Sequence, residues 1–411
     1  MPEMKVPFFR PAITEAEIDE VVSCLRSGWL TTGPRVKAFE AAFAEAVGAK
    51  HAVALNSCTA ALHLALEAVG LRPGELVLVP TFTFAATAEV VRYFDATPVL
   101  VDVDPHTLCM DPAAVEATLD ALAAGAPVAG LEGPYGKVRA LIPVHYGGQM
   151  AEVEALRALA TARGLAYIED AAHTLPAAFR AGPEAPWRAA GSTADVTCFS
   201  FYANKCITTG EGGMAVTDDA ALADRMRVMS LHGMSKDAWR RFRAEGSWYY
   251  EIVAPGFKYN LTDIAASIGL KQLERAEALR DERAAQAARY HAAFAPLEAF
   301  ELPEALPDRQ HAWHLYPLRL ARAGWSIDRA AFIEALSAAG IGASVHWMPL
   351  HLHPYYRETY GLGPGLFPVA EDAWPRLVSL PIFPGMRPEE QAHVIETVRQ
   401  ITAQRFRPVA S

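Results

Sequence analysis

The sequence predicts an α/β fold: a mostly parallel sheet sandwiched by helices, followed by a smaller α+β unit. Two observations carry this. Short apolar runs alternate with helical stretches, through short connections, over the first 220 residues. Several of these runs also end at or just before a polar residue, at Asn56, Asp102, His145 and Asp170. In open α/β sheets ligands bind beyond such carboxyl ends.

The elements follow in order. His51–Asn56 is a strand and Ala60–Val69 a helix. Leu76–Pro80 is a strand, Ala85–Phe94 a helix and Pro98–Asp102 the third strand. The Ala/Gly-rich stretch Ala121–Gly130 reads as a helix end plus loop. Arg139–Val144, Leu165–Asp170, Val196–Phe201 and Gly213–Thr217 complete seven strands, with helices at Glu152–Arg163 and Ala220–Leu231. Leu261–Ala295, rich in Ala, Glu and Arg, reads as one long helix linking a large domain, 1–295, to a small one, 296–411. Pro296, Pro303 and Pro307 punctuate the join. The small domain would hold Ala312–Leu320, Arg329–Ala339, Ala343–Trp347 and Pro388–Thr402.

Composition bounds the function. At 411 residues, 52% hydrophobic and 20% charged, the chain is globular and long enough for a large core. Acids outnumber Lys plus Arg 47 to 37, and no basic stripe argues for a nucleic-acid partner. No run of about 18 apolar residues predicts a membrane span. The five cysteines (Cys24, Cys58, Cys109, Cys198 and Cys206) contain no CxxC pair, which argues against a disulfide frame and against a structural zinc. With no secretory h-region at the N-terminus, the expectation is a cytoplasmic enzyme without a metal.

Four stretches carry chemistry. In Ser200-Phe201-Tyr202-Ala203-Asn204-Lys205 a strand runs into a loop bearing a lone lysine, with Gly210-Glu211-Gly212-Gly213 directly after. A lysine whose amine is neutral attacks carbonyls; taken alone, Lys205 reads first as a surface residue beside a glycine turn. Asp170 ends an apolar strand, where a half-buried carboxylate calls for a cation, though a helix cap explains it as well. Asn56-Ser57-Cys58-Thr59 places hydroxyl residues at a helix start, a small phosphate site or ordinary capping. Pro80-Thr81-Phe82-Thr83-Phe84 offers aromatics at a strand mouth, of which Phe82 reads as core. Together they match pyridoxal phosphate, which needs a lysine, an acid for its ring nitrogen, a phosphate cradle and a stacking aromatic.

In the stretches Ser57–Leu66, Pro80–Thr87, Pro143–Gln149, Glu169–His173, Ser200–Gly213 and Phe257–Leu273, the chain resembles the DegT/DnrJ/StrS family of nucleotide-sugar aminotransferases, which are fold-type I pyridoxal-phosphate enzymes. The resemblance runs from about Ile13 onward. It implies that Lys205 holds the cofactor covalently, that Asp170 bonds the pyridine nitrogen, that Phe84 stacks on the ring and that His173 lies near the ring hydroxyl. It places Cys58, Thr59 and Ser200 at phosphate positions. It has Asn260 reaching the phosphate of a neighbouring subunit, hence a homodimer with shared sites. It also implies L-glutamate as amino donor, leaving as 2-oxoglutarate, and a nucleotide-linked keto-sugar as acceptor.

The segment Gly342–His351, with His346 and His351, and the segment around Tyr259 resemble the branch that aminates a UDP-linked 4-keto-arabinose. His346, His351 and Tyr259 are therefore candidate substrate contacts, as are the aromatics and arginines of 235–251: Trp239, Trp248, Tyr249, Tyr250, Arg240, Arg241 and Arg243. Cys58 where glycine is common, Phe84 where that branch tends to have tryptophan, and an extra loop at Gly130–Gly136 depart from it. Amination at C4 of a nucleotide-linked 4-keto sugar is the favoured reading, a 6-deoxyhexose being at least as well supported as a pentose. Amination at C3, another pyridoxal-phosphate reaction and a non-enzymatic protein on the same fold stay open.

Overall fold

The computed structural model describes residues 4–235 and 250–408. Its centre is a seven-stranded sheet in the order His51–Leu55, Gly213–Thr217, Val196–Ser200, Ala166–Asp170, Val138–Leu141, Leu76–Pro80, Thr97–Val101. Only Gly213–Thr217 runs against the rest, antiparallel to both of its neighbours. The seven strands stand where their apolar runs predicted, within a few residues at the ends.

The reversed strand matters for the site. It begins at Gly213, on the same edge where Ala166–Asp170, Val196–Ser200 and His51–Leu55 end. Four chain segments therefore meet at one sheet edge. The strands are buried on both faces because helices cover both, which is why they read as continuous apolar runs.

Two helices precede the sheet. Glu15–Ser27 starts from a capping box of Thr14 and Glu17, and Pro34–Val47 starts with a proline at its first position. The apolar face of the second, Val36, Phe39, Phe43 and Val47, packs with Phe199 and Phe201 into one aromatic core.

The predicted single helix Leu261–Ala295 is two helices, Asp263–Glu274 and Ala276–Phe294, broken at Arg275. The break sits where the N-terminal segment docks. Arg275 and Gln272 both reach the carbonyl of Ala12 (2.7 and 2.9 Å) and the buried carboxylate of Glu17 (2.5 and 2.9 Å). Tertiary hydrogen bonds outweigh helix continuity there, which composition does not reveal.

A second sheet, Phe300–Glu301, Tyr316–Leu320 and Leu377–Leu380, lies beyond residue 296. Its core draws on Ala287, Tyr290, Ala293 and Phe294 of the preceding helix and on Val6 from the N-terminus. Two predicted elements differ. Ala312–Leu320 becomes a strand only at Tyr316, because Ala312 and Leu315 donate instead to the carbonyls of Gly148 and Gly147 (2.8 and 3.0 Å). Ala343–Trp347 is not a strand; it makes an isolated bridge at Ser344 to Ser379.

Candidate active site

Lys205 lies on the loop that follows strand Val196–Ser200. The loop is fastened at both ends: Lys205 N–H donates to Tyr202 O (2.9 Å) and Phe201 N–H to Gly212 O (2.8 Å). The residue is half-buried. Burial lowers its ammonium to about 8, with the opposing pull of Asp170 only partly offsetting it.

Asp170 stands at the end of the neighbouring strand, in register with Cys198. Thr87 Oγ1 donates to one carboxylate oxygen (2.8 Å) and Ala172 N–H to the other (3.1 Å). Thr83 hydrogen-bonds to Thr87 in turn (2.8 Å), so the acid is held by a chain of hydroxyls. Burial raises the carboxyl above its usual range, and those two donors moderate the rise. It makes no ion pair with any described residue, which suits an acid placed to meet a pyridinium nitrogen.

At the end of strand His51–Leu55, Ser57 caps the helix Cys58–Ala68 through Ala60 N–H (3.1 Å). The first-turn N–H groups of Cys58 and Thr59 have no acceptor within the helix. Both the capping and the anion-binding readings of this segment are therefore met by one piece of backbone. The Cys58 thiol itself turns inward, to Cys198 O (3.5 Å), so only its backbone N–H can serve a phosphate. Gly213 packs directly beneath: a β-carbon there would stand 2.3–2.5 Å from the backbone of Ser57 and Cys58. Glycine is required for that approach. Ser200 lies alongside, at the end of its own strand.

Phe84 keeps 60% of its surface exposed, with Trp347 at 6.4 Å, whereas Phe82 is core against Tyr146. An aromatic left this exposed at a strand mouth fits one that stacks on a planar ligand. His173 is buried. Gly147 N–H donates to its Nδ1 (3.2 Å), which leaves the ring proton on Nε2. Its ring stacks on Trp347 (5.0 Å, 28°) and lies 4.2 Å from that of His314. Burial keeps it neutral, holding its pKa well below the ordinary histidine value.

The remaining candidates divide. His346 lies next to this group, stacked on Phe8 (5.6 Å) with Nδ1 bonded to Ser379 Oγ (2.9 Å); burial pushes it down to about 4. His351 is fully buried, and both its ring nitrogens are engaged, with Thr81 (2.7 Å) and Glu371 (3.1 Å). That leaves it no nitrogen for a substrate, so the structure gives it a scaffolding role instead. Tyr259 hydrogen-bonds His63 Nδ1 (3.0 Å) and stacks on Phe257. Asn260 bridges Leu55 of its own chain; it donates to Thr32 Oγ1 (2.7 Å) and accepts from Lys258 Nζ (2.5 Å). Trp239, Trp248, Tyr249, Arg240, Arg241 and Arg243 lie outside the described residues, whereas Tyr250 is described and exposed.

The other polar strand ends are structural. Asp102 caps the helix Pro368–Ala373 through the N–H groups of Val369 and Ala370 (3.0 and 3.1 Å). His145 lies 3.6 Å from buried Glu169, which also accepts from Thr193 and Thr197. Thr87, Trp347 and His314 escaped the sequence reading. The four-residue spacing of Thr83 and Thr87 is the one signal that pointed to any of them.

An amine of lowered basicity, a buried acid, helix N–H groups and an exposed aromatic at one sheet edge are the parts of a pyridoxal-phosphate site, and these residues fit that cofactor. Residues 11–399 match the family described as DegT/DnrJ/EryC1/StrS aminotransferases, and the chain belongs to it. It is 44% identical to the spore coat polysaccharide biosynthesis protein SpsC of Bacillus subtilis, over 96% of this chain and 97% of that one. DesV of S. venezuelae, solved with a ketimine intermediate, is 32% identical with a TM-score of 0.83, over 96% of this chain and 98% of that one. Helicobacter pylori PseC, an aminotransferase of pseudoaminic acid biosynthesis, is 26% identical with a TM-score of 0.85, over 98% and 100%. The chain is thus a sugar aminotransferase of fold type I that uses pyridoxal phosphate.

Proposed function

We propose that this enzyme converts a nucleotide-linked 4-keto sugar to its 4-amino sugar, with L-glutamate as donor and 2-oxoglutarate as co-product. The observation that carries the reading is Lys205, its amine made less basic by burial, standing within the electrostatic reach of the buried acid Asp170. When bound, pyridoxal phosphate would supply an electron sink that lets the amine-bearing carbon of the donor lose a proton and the keto carbon of the acceptor gain one. Asp170 holds a positive charge on the ring nitrogen. The Lys205 amine, near neutrality, takes and returns the proton. The N–H groups of Cys58 and Thr59, with Ser200, hold the phosphate. Phe84 covers one face of the ring region, and His173, backed by Trp347, offers its Nε2–H at the ring edge.

In this reading His346, at the mouth beside Trp347, meets the sugar, and Tyr259 shapes the wall through His63. Two copies of the chain associate, and Asn260 reaches the phosphate held by the partner. The exposed apolar residues near this edge, Tyr93, Ile252 and Val253, support such a covered face. Residues 296–411 act as the smaller domain over the site. Among the described residues no helix is long and apolar enough to cross a membrane.

The test is a visible spectrum followed by product analysis. Purified protein with pyridoxal phosphate should be yellow, and L-glutamate should bleach the band. The treated enzyme should then aminate a nucleotide-linked 4-keto sugar. A yellow protein indifferent to glutamate would remove the donor. Amination at C3 would remove the regiochemistry.

A further inference from the structure

The backbone of Asp170 is pinned on both sides. Its N–H donates to Pro143 O (2.9 Å), and its carbonyl accepts from His145 N–H (3.1 Å). The rotation of the carboxylate is then left to its own contacts. Among the described residues, Thr87 is the one side chain that hydrogen-bonds it (2.8 Å). Thr87 and Thr83 are both buried. A hydroxyl has a single hydrogen to give. Thr87 gives its hydrogen to the carboxylate, so the bond between the two threonines (2.8 Å) has to run from Thr83 O–H to Thr87 Oγ1. Both O–H dipoles thus point toward the acid. An ionised Asp170 requires that order, and a protonated one does not.

Capping does not account for these threonines. They stand at the start of helix Ala86–Arg92, where a threonine ordinarily satisfies a free N–H, yet that helix has no side-chain cap. The preceding residue on the strand, Glu169, gives a contrast. It has two threonine donors, Thr193 and Thr197, and also His145 at 3.6 Å. Asp170 makes no ion pair with any described residue. Burial pushes its carboxyl up, and the Thr87 hydroxyl is the strongest influence against that rise.

We propose that Thr87, backed by Thr83, is a positioning residue that keeps Asp170 ionised and aimed at the ring nitrogen of the cofactor. The inference rests on the assignment of Asp170 to that nitrogen, made above. Without the Thr87 hydrogen bond, the buried carboxylate draws the nitrogen's proton onto itself, and the positive charge it was holding is lost. Thr83 and Thr87 also flank Phe84 in the chain, so one short segment serves both the face and the nitrogen edge of the ring.

The experiment loads the enzyme with pyridoxal phosphate isotopically labelled at the ring nitrogen and reads that nitrogen by solid-state NMR, with kcat and KM for L-glutamate alongside. The wild type should give the signal of a protonated ring. Thr87→Val, similar in shape without the hydroxyl, should move the signal toward unprotonated pyridine. It should also lower kcat by about ten- to a hundredfold with KM little changed. Thr87→Ser should restore both. Thr83→Val should move the signal the same way by less, and it decides the matter if Thr87→Val does not fold. A wild-type nitrogen signal in the folded variants overturns the proposal, even where their melting temperature falls, because the threonines would then serve stability alone. That result leaves Asp170 in its place. A wild-type ring without the proton, or a signal that Asp170→Asn does not move, removes Asp170 from the nitrogen and the proposal with it.

Discussion

At the residue scale the proposed chemistry rests on two groups, Lys205 and Asp170, whose behaviour is set by burial. Lys205→Ala should fold and lose turnover by several orders of magnitude, because the amine proposed to shuttle the proton is then gone. Steady-state assays of the purified variant check this. Asp170→Asn should keep its fold and lose activity by roughly a hundredfold or more, since a neutral amide cannot hold a charged ring nitrogen. An ammonium lowered to about 8 has a kinetic consequence as well. Only the neutral amine attacks the cofactor's aldehyde. Reconstitution of the apoenzyme, followed by absorbance, should therefore accelerate as pH rises toward about 8 and level off above it. His351 makes a different kind of contribution. Its replacement by Leu strands the Thr81 hydroxyl and removes a partner of Glu371, both held at 2.7–3.1 Å. The expected loss is about 1–3 kcal/mol in denaturant unfolding, with the catalytic groups unaltered.

At the scale of elements, the junctions do more than the elements themselves. Helix Asp263–Glu274 and helix Ala276–Phe294 would be one rod but for Glu17, whose carboxylate is shared by Thr14, Gln272 and Arg275. Burial pushes that carboxyl up, but the three hydrogen-bonding partners outweigh it and hold it at about 2. Its folded pKa is thus below the ordinary 4.5. The stability it contributes is complete above that ordinary value and is lost as pH falls toward about 2. Glu17→Gln should remove that stretch of acid sensitivity and cost about 2 kcal/mol near neutrality, read from denaturant midpoints across pH. A second junction, the turn Gly147–Gly148, is pinned to residues 312–315. Gly148 has a φ of +111°, and a β-carbon there would meet the backbone nitrogens of Trp313 and His314 at 2.9 Å. The turn thereby brings His314 against His173, two residues 141 positions apart in sequence (314 − 173).

At the scale of the whole molecule, the sheet edge gathers the site and a second copy is expected to close it. If Asn260 serves the partner's phosphate, Asn260→Ala alone should bind pyridoxal phosphate weakly and Lys205→Ala alone should be inactive. Mixed dimers of the two variants carry one site with both defects and one with neither. Activity should reappear on mixing, in proportion to mixed dimer measured by native mass spectrometry. If Asn260 served its own chain's site, mixing would restore nothing.

Sequence by itself determined the layered α/β architecture, because buried strands and amphipathic helices leave different apolar spacings. It also singled out Lys205, Asp170, Phe84 and the Ser57–Thr59 turn as candidates, since each sits at or just after a strand end where motif and element coincide. Tertiary structure alone decided the rest. It reversed the strand that brings Gly213 beneath the Ser57–Cys58 backbone, broke the linking helix at Arg275, and turned His351 from the substrate to Thr81 and Glu371. It also placed Thr87 on Asp170, and His314 and Trp347 on His173. Those outcomes depend on which distant residues share a hydrogen bond or a buried volume, and local spacing carries no record of a partner a hundred or more residues away.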